Sequence, residues 1–259
     1  VARPFRNSLG LVFRPIPGLA TQLAIWPTRV RDFAAFVVAT GYRAEGGMLT
    51  LGPEDHDWLP KGRTWSDPGF RQTDEDPVVG VNLGDAAAFC RWLTRKERAE
   101  KRIRAPGRYR VPTDREWSAA VGLPREKGGT PEERLAGSDG RYPWGPAWPP
   151  PPGFGNYAGA ESREGMPSWW GVVPGGYRDP YPRTSPVGSF PPNAYGFFDL
   201  SGNVWEWCSD AYSRGLAHVT RGGSWGSDRP AYLRSAQRSP QLPGTRNDEL
   251  GFRIVLARR

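Results

Sequence analysis

The sequence predicts a single, loop-rich α+β domain in which short strands and a few helices are held by large aromatic side chains. Two observations carry this expectation. Hydrophobic residues are only 37% of the 259, yet the chain has 12 Trp, 33 Gly and 28 Pro, so burial must rest on large rings pinned by turns. Helical and extended hydrophobic periods also occur in the same chain. The length allows one large or two small domains with a substantial core, and we read one, spanning 1–259.

The elements follow in order. Leu9 to Pro17 alternates apolar and other residues before a Pro-Gly turn, and Ala20 to Trp26 resumes the extended pattern, which predicts a hairpin. Thr28 to Thr40 switches to a helical period, with Val30, Phe33, Phe36 and Val37 on one side. A second helix should start at Asn82, an N-cap with Asp85 in the first turn. Ala86, Phe89, Cys90 and Leu93 then form its apolar face. A third, shorter helix is signalled by Thr113 and Glu116, which form a capping box ahead of Trp117 and Val121. Gly122 to Pro192 is mostly Gly, Pro, Ser and aromatics, too long for an ordinary connection. Metal ions or an aromatic-packed loop, rather than a sheet or helix, should hold it. Trp205 and Trp207 flank Glu206, so in extended structure both rings share one face and the carboxylate takes the other. Val219 to Leu256 alternates short extended runs with polar stretches, and Gly251-Phe252-Arg253-Ile254-Val255 reads as the last strand.

Charge and composition narrow the function classes. The net charge is +8, carried by Arg, since Lys occurs only at 61, 96, 101 and 127. The Arg residues are scattered rather than striped with aromatics, which argues against nucleic acid. Cys90 and Cys208 are the only cysteines, so neither a disulfide framework nor a zinc cluster is available, and one bridge stays open. No apolar run reaches membrane-spanning length. The start lacks the apolar core of a signal peptide, which favours the cytoplasm, and its abruptness leaves room for an upstream domain.

Several segments then become specific. Tyr109 to Trp117 (YRVPTDREW), Tyr142 to Gly145 (YPWG), Asn193 to Trp207 (NAYGFFDLSGNVWEW), Arg221 to Trp225 (RGGSW) and Gly251 to Arg253 (GFR) occur in this order. Together they resemble the formylglycine-generating-enzyme, or sulfatase-modifying-factor, family over nearly the whole chain. The resemblance implies a C-type-lectin-like fold with two main helices, a small twisted antiparallel sheet and much irregular loop. It also implies two structural calcium sites. One would use the side chains of Asp199 and Glu206 with the carbonyls of Gly202 and Val204. The other would use Asn156 and Asp179 with the carbonyls of Tyr157 and Tyr181. Calcium takes several such oxygen ligands from irregular loops. Hydrogen bonding of these acids to loop amides is the alternative, and it needs no ion.

The family's oxidising enzymes use a cysteine pair shortly after the Gly-Gly-Ser-aromatic motif, where copper binds as a thiolate complex. Here the stretch is Gly226-Ser227-Asp228-Arg229-Pro230-Ala231-Tyr232, without cysteine. A second branch uses iron held by three histidines, and this chain has only His56 and His218. The expectation is therefore no catalysis. What remains is a binding scaffold for a protein ligand. Within the segment 221–253 the expected ligand contacts are the framework residue Trp225 and then Gly226, Ser227, Asp228, Ala231, Tyr232, Gln237, Ser239, Gln241, Leu242, Thr245, Asn247 and Asp248. That layout also resembles the variable proteins of diversity-generating retroelements, whose variable positions carry residues of codons ending in a pyrimidine. Gln237, Gln241 and Glu249 fall outside that set. The alternatives are an oxidoreductase related to the family's enzymes, or a sensor or effector domain detached from a kinase-like neighbour.

Overall fold

The computed structural model describes residues 4–44, 46–138 and 140–258. The expected hairpin forms from β2 (Val12–Pro15) and β3 (Gln22–Ala24), antiparallel with Phe13 opposite Ala24. It belongs to a five-stranded antiparallel sheet ordered β1 (Phe5–Arg6), β2, β3, β11 (Val255–Ala257), β6 (Arg108–Arg110). Alternation along β11 sends Leu256 to one face with Phe13 and Tyr109, and Val255 to the other with Leu23 and Ile16. Both faces are therefore buried.

Two helices cover the first face. α1 (Val30–Thr40) presents Phe33 and Phe36, and α2 (Leu83–Ala99) presents Phe89, Cys90 and Leu93, which meet Phe252 in one cluster. Each ring so buried contributes roughly 1.5–3 kcal/mol. α2 starts at Asn82 as expected: Asn82 Oδ1 accepts from the Asp85 amide at 2.9 Å and the Asp85 carboxylate accepts from the Asn82 amide at 2.9 Å. α3 (Asp114–Val121), opened by the reciprocal Thr113 and Glu116 bonds, lays Trp117 and Ala120 against the second face with Phe197, Leu200 and Cys208. Beneath it Asp114, fully buried, pairs with the guanidinium groups of Arg134, Arg221 and Arg238. Burial opposes its charge, but the three cations win and lower its pKa to about 2.

A second sheet is ordered β10 (Leu250–Gly251), β7 (Trp205–Ala211), β8 (His218–Arg221), β9 (Ser239–Gln241), with β10 parallel to β7. The single last strand expected over Gly251 to Val255 is thus divided. Gly251 ends β10 and Val255 begins β11 in the other sheet, while Arg253 between them turns inward to Glu206. Hydrophobic alternation cannot reveal a change of sheet.

A hairpin, a short helix and a 3-10 turn were not expected. A hairpin joins β4 (Met48–Thr50) to β5 (Leu59–Arg63). The long segment 122–192 also contains α4 (Pro131–Ala136), whose capping box is Thr130 and Glu133, and a 3-10 turn at Ala160–Arg163. Most of that segment is held by aromatic packing: Tyr142 stacks on Trp144 at 4.8 Å, joined by Trp148, Phe154, Tyr157 and Tyr177. The architecture is the α+β, C-type-lectin-like one. Among the described residues no helix is long and apolar enough to cross a membrane.

Candidate functional site

A cleft of ≈ 440 Å³ opens where the second sheet meets the long loop. Its C-terminal wall is Gly226, Ser227, Asp228, Tyr232, Ser239, Gln241, Thr245 and Asn247, all expected contacts, together with Arg229, which was not. The backbone explains their convergence. Asn247 is pinned beside β4 by a bridge to Leu49 and by the Gly80 amide, which donates to its carbonyl at 2.9 Å; the Trp205 amide then donates to the Glu249 carbonyl at 2.8 Å. Tyr232, on the short helix α5 (Pro230–Leu233), is 38% exposed and meets Trp205 edge to face.

Five expected contacts lie elsewhere. Trp225 is 0% exposed: its indole donates to the Asp248 carbonyl at 3.0 Å, and the Arg183 guanidinium lies 4.8 Å from its ring centre. It supports the cleft from behind. Asp248 is likewise buried. Gln237 turns its amide to the Arg238 carbonyl. Ala231, though exposed, does not line the cleft. Leu242, 61% exposed, lines an adjoining groove of ≈ 580 Å³ with Leu216 and Pro243. The two-residue rhythm of short polar runs cannot separate inward from outward positions when the backbone is irregular.

Sequence reasoning missed the opposite wall, formed by Leu49, Trp58, Trp169, Trp170 and Gly171, together with Trp205 and Glu249. The Trp169-Trp170 pair inside a Gly/Pro loop was the available signal. Glu249, which like Gln237 and Gln241 lies outside the pyrimidine-ending codon set, is a lining residue that was not expected. Burial, then the nearby Asp228 charge, pushes the Glu249 carboxyl up to about 7. Gly226 permits this carboxylate's approach: a Cβ there would stand 1.8 Å from Glu249 Oε1.

Neither cysteine reaches the cleft. Cys90 and Cys208 are both free and buried, in clusters on opposite faces of the five-stranded sheet, and burial raises both thiol pKa values. Among the described residues no three His, Cys, Asp or Glu side chains cluster as metal ligands.

Of the expected calcium ligands, Asn156, Tyr157, Asp179 and Tyr181 are brought together. Asp179 accepts from the amides of Tyr157 at 3.2 Å and Tyr181 at 2.9 Å. Asn156 Oδ1 is buried without a partner, as is Oε2 of Glu161, whose other oxygen accepts from the Asp179 amide. Burial raises the Asp179 pKa to about 7. Buried, orphaned oxygens around an unpaired carboxylate fit a hard cation. The set of Asp199, Gly202, Val204 and Glu206 fits less well. Both Glu206 oxygens carry Arg253, at 2.6 and 2.5 Å, and Oε2 also accepts from the Trp117 indole. Glu206 has no charge left to give, and Asp199, bonded to the Gly188 amide, is the one spare carboxylate of that set.

The Sulfatase-modifying factor enzyme 1-like domain family matches residues 22–258. The inactive C-alpha-formylglycine-generating enzyme 2 of Mus musculus is 31% identical over 264 residues, covering 89% of this chain and 73% of that protein. The formylglycine-generating enzyme of Thermomonospora curvata is 30% identical over 273 residues, covering 87% and 78%. Among solved structures, PvdO from Pseudomonas aeruginosa superposes with a TM-score of 0.62 at 25% identity, covering 91% of this chain and 80% of that one. Treponema denticola variable protein 1 superposes with a TM-score of 0.53 at 19% identity, covering 92% and 84%, a likeness of fold alone.

Proposed function

The chain belongs to the sulfatase-modifying-factor family, and within it we propose a non-catalytic binding protein that takes a protein ligand in the cleft between its C-terminal segment and the Trp169-Trp170 loop. The observation that carries this reading is the cleft itself, whose Gly226-Ser227-Asp228 floor holds no thiol while both cysteines are locked in the core. Similarity to a relative named inactive supports it. Rigid backbone on one side and half-exposed side chains such as Tyr232 and Gln241 on the other suit exchange of contacts without refolding. On this reading the segment 221–253 is a variable surface of the retroelement type. A near-copy of its coding bases, differing only at adenines and beside a reverse transcriptase gene, is the genomic result expected. Calcium, held by Asn156, Tyr157, Asp179 and Tyr181, would staple the long loop that forms the far wall.

The test is selection of peptide ligands from a displayed library on the wild-type chain, followed by their titration against Tyr232→Ala. Loss of affinity of at least about tenfold is expected, in line with an aromatic contact in an interface. Ligands indifferent to this change, or none at all, would overturn the reading. Similarity to the Thermomonospora enzyme favours a second one, an oxidoreductase. Oxygen-dependent turnover of a cysteine peptide by the copper-loaded chain would establish it.

A further inference from the structure

Building on the cleft as a binding site, we propose that its anchor is a basic side chain of the protein ligand, an arginine or lysine placed between the indole wall and the carboxylates of Asp228 and Glu249. Trp58, Trp169, Trp205 and Tyr232 line this space, and aromatic rings attract cations over their faces through their quadrupoles. The stacked cations among the described residues sit on other rings: Arg29 on Trp26, Arg183 on Trp225, Arg221 on Trp117 and Arg258 on Phe5.

The carboxylates are set into the site by glycines. A Cβ on Gly171 would stand 1.9 Å from Asp228 Oδ2, and one on Gly226 would stand 1.8 Å from Glu249 Oε1. Backbone without side chains is what lets both acids sit in the cleft floor. Their own neighbours leave them under-neutralised. Arg229, with a side chain 70% exposed, reaches Asp228 only at 3.6 Å. Arg183, behind Trp225, gives its hydrogen bonds to the carbonyls of Ser162, Pro182 and Glu164 and reaches Glu249 through its field alone. Asp248, beneath, is 4% exposed with Oδ1 unpartnered, and burial favours its neutral form, so the charge of the site rests on Asp228 and Glu249. This stands out in a chain of net charge +8, whose remaining surface repels a basic ligand. An arginine matches best, since its plane stacks on an indole while its fork spans two carboxylates.

The experiment is an NMR titration of the full chain, following tryptophan indole N–H signals, with the amides of N-acetyl-arginine, N-acetyl-lysine and N-acetyl-citrulline as probes. Arginine and lysine should shift the Trp58 and Trp205 signals saturably. Citrulline, neutral and the same shape as arginine, should bind at least about tenfold more weakly. Asp228→Asn, at the half-exposed rim, and Glu249→Gln should each erase part of that preference. Equal binding of citrulline, a preference unchanged in both variants, or no shift with any probe would overturn the proposal. The two readings fail separately: a Tyr232-dependent peptide ligand without arginine or lysine would refute this anchor and leave the binding function standing.

Discussion

Glu249→Gln should make the free protein more stable, and only at high pH. The Glu249 carboxyl is pushed up to about 7 from an ordinary 4.5, by burial first and by Asp228 second. A carboxyl with a raised folded pKa imposes no penalty below its unfolded value; the penalty grows between the unfolded and folded values and is complete above the folded one. At about pH 8 this amounts to about 3 kcal/mol for a fully enclosed group. The side chain is half-buried, so water screens part of it and the gain on removing the charge should be about 1–2 kcal/mol. For a chain of this size that raises Tm by roughly 2–8 °C. Thermal melts of wild type and variant at constant ionic strength, at about pH 8 and about pH 4.5, read it directly. A variant equally displaced at both pH values, or destabilised at the higher one, would refute the picture of a carboxylate held against its own preference. Groups kept in place at a cost to stability are what binding sites contain.

Other outcomes follow from the same geometry. Asp114→Asn strips the counter-ion from Arg221 and Arg238, both fully buried, and should cost about 3–5 kcal/mol in denaturant melts. Because the Asp114 pKa is lowered to about 2, its stabilisation should persist above pH 3.8 and fade as pH falls towards 2. Chelation of calcium should lower Tm by about 5–10 °C if the free ion stood near a hundred times Kd, and Asp179→Asn should abolish that response. Trp225→Ala should cost about 3–5 kcal/mol, while Tyr232→Ala should change stability by no more than about 0.5 kcal/mol, a contrast that separates support from contact.

Much of the scaffold was legible because its signals are local. Asn82 with Asp85 and Thr113 with Glu116 mark helix starts through bonds spanning three residues, and Trp205-Glu206-Trp207 alternates as a strand must, both indoles joining one cluster while Glu206 meets Arg253 on the other side. The same box at Thr130 and Glu133 is hidden because Gly128, Gly129 and Pro131 around it read as a turn and no apolar period follows. The division of the last strand was illegible, since Gly251 and Val255 share a run but not a sheet. Half of the cleft was legible as a run of small and polar positions after Trp225. The other half comes from Trp58 and the Trp169-Trp170 loop, distant in the chain, which no spacing rule connects to residue 228.

β11 occupies an interior place in the five-stranded sheet, between β3 and β6. During synthesis the ribosome delivers the neighbours of this strand well before the strand itself, so their hydrogen-bonding edges wait uncovered until Val255 to Ala257 emerge. The stretch that forms the C-terminal wall of the cleft is translated just ahead of the piece that closes the sheet. A nascent polypeptide with a damaging substitution at Phe252 or Ile254 should therefore stay open and go to chaperones and proteases, so that the cleft wall just ahead of it is presented only on chains whose sheet has closed.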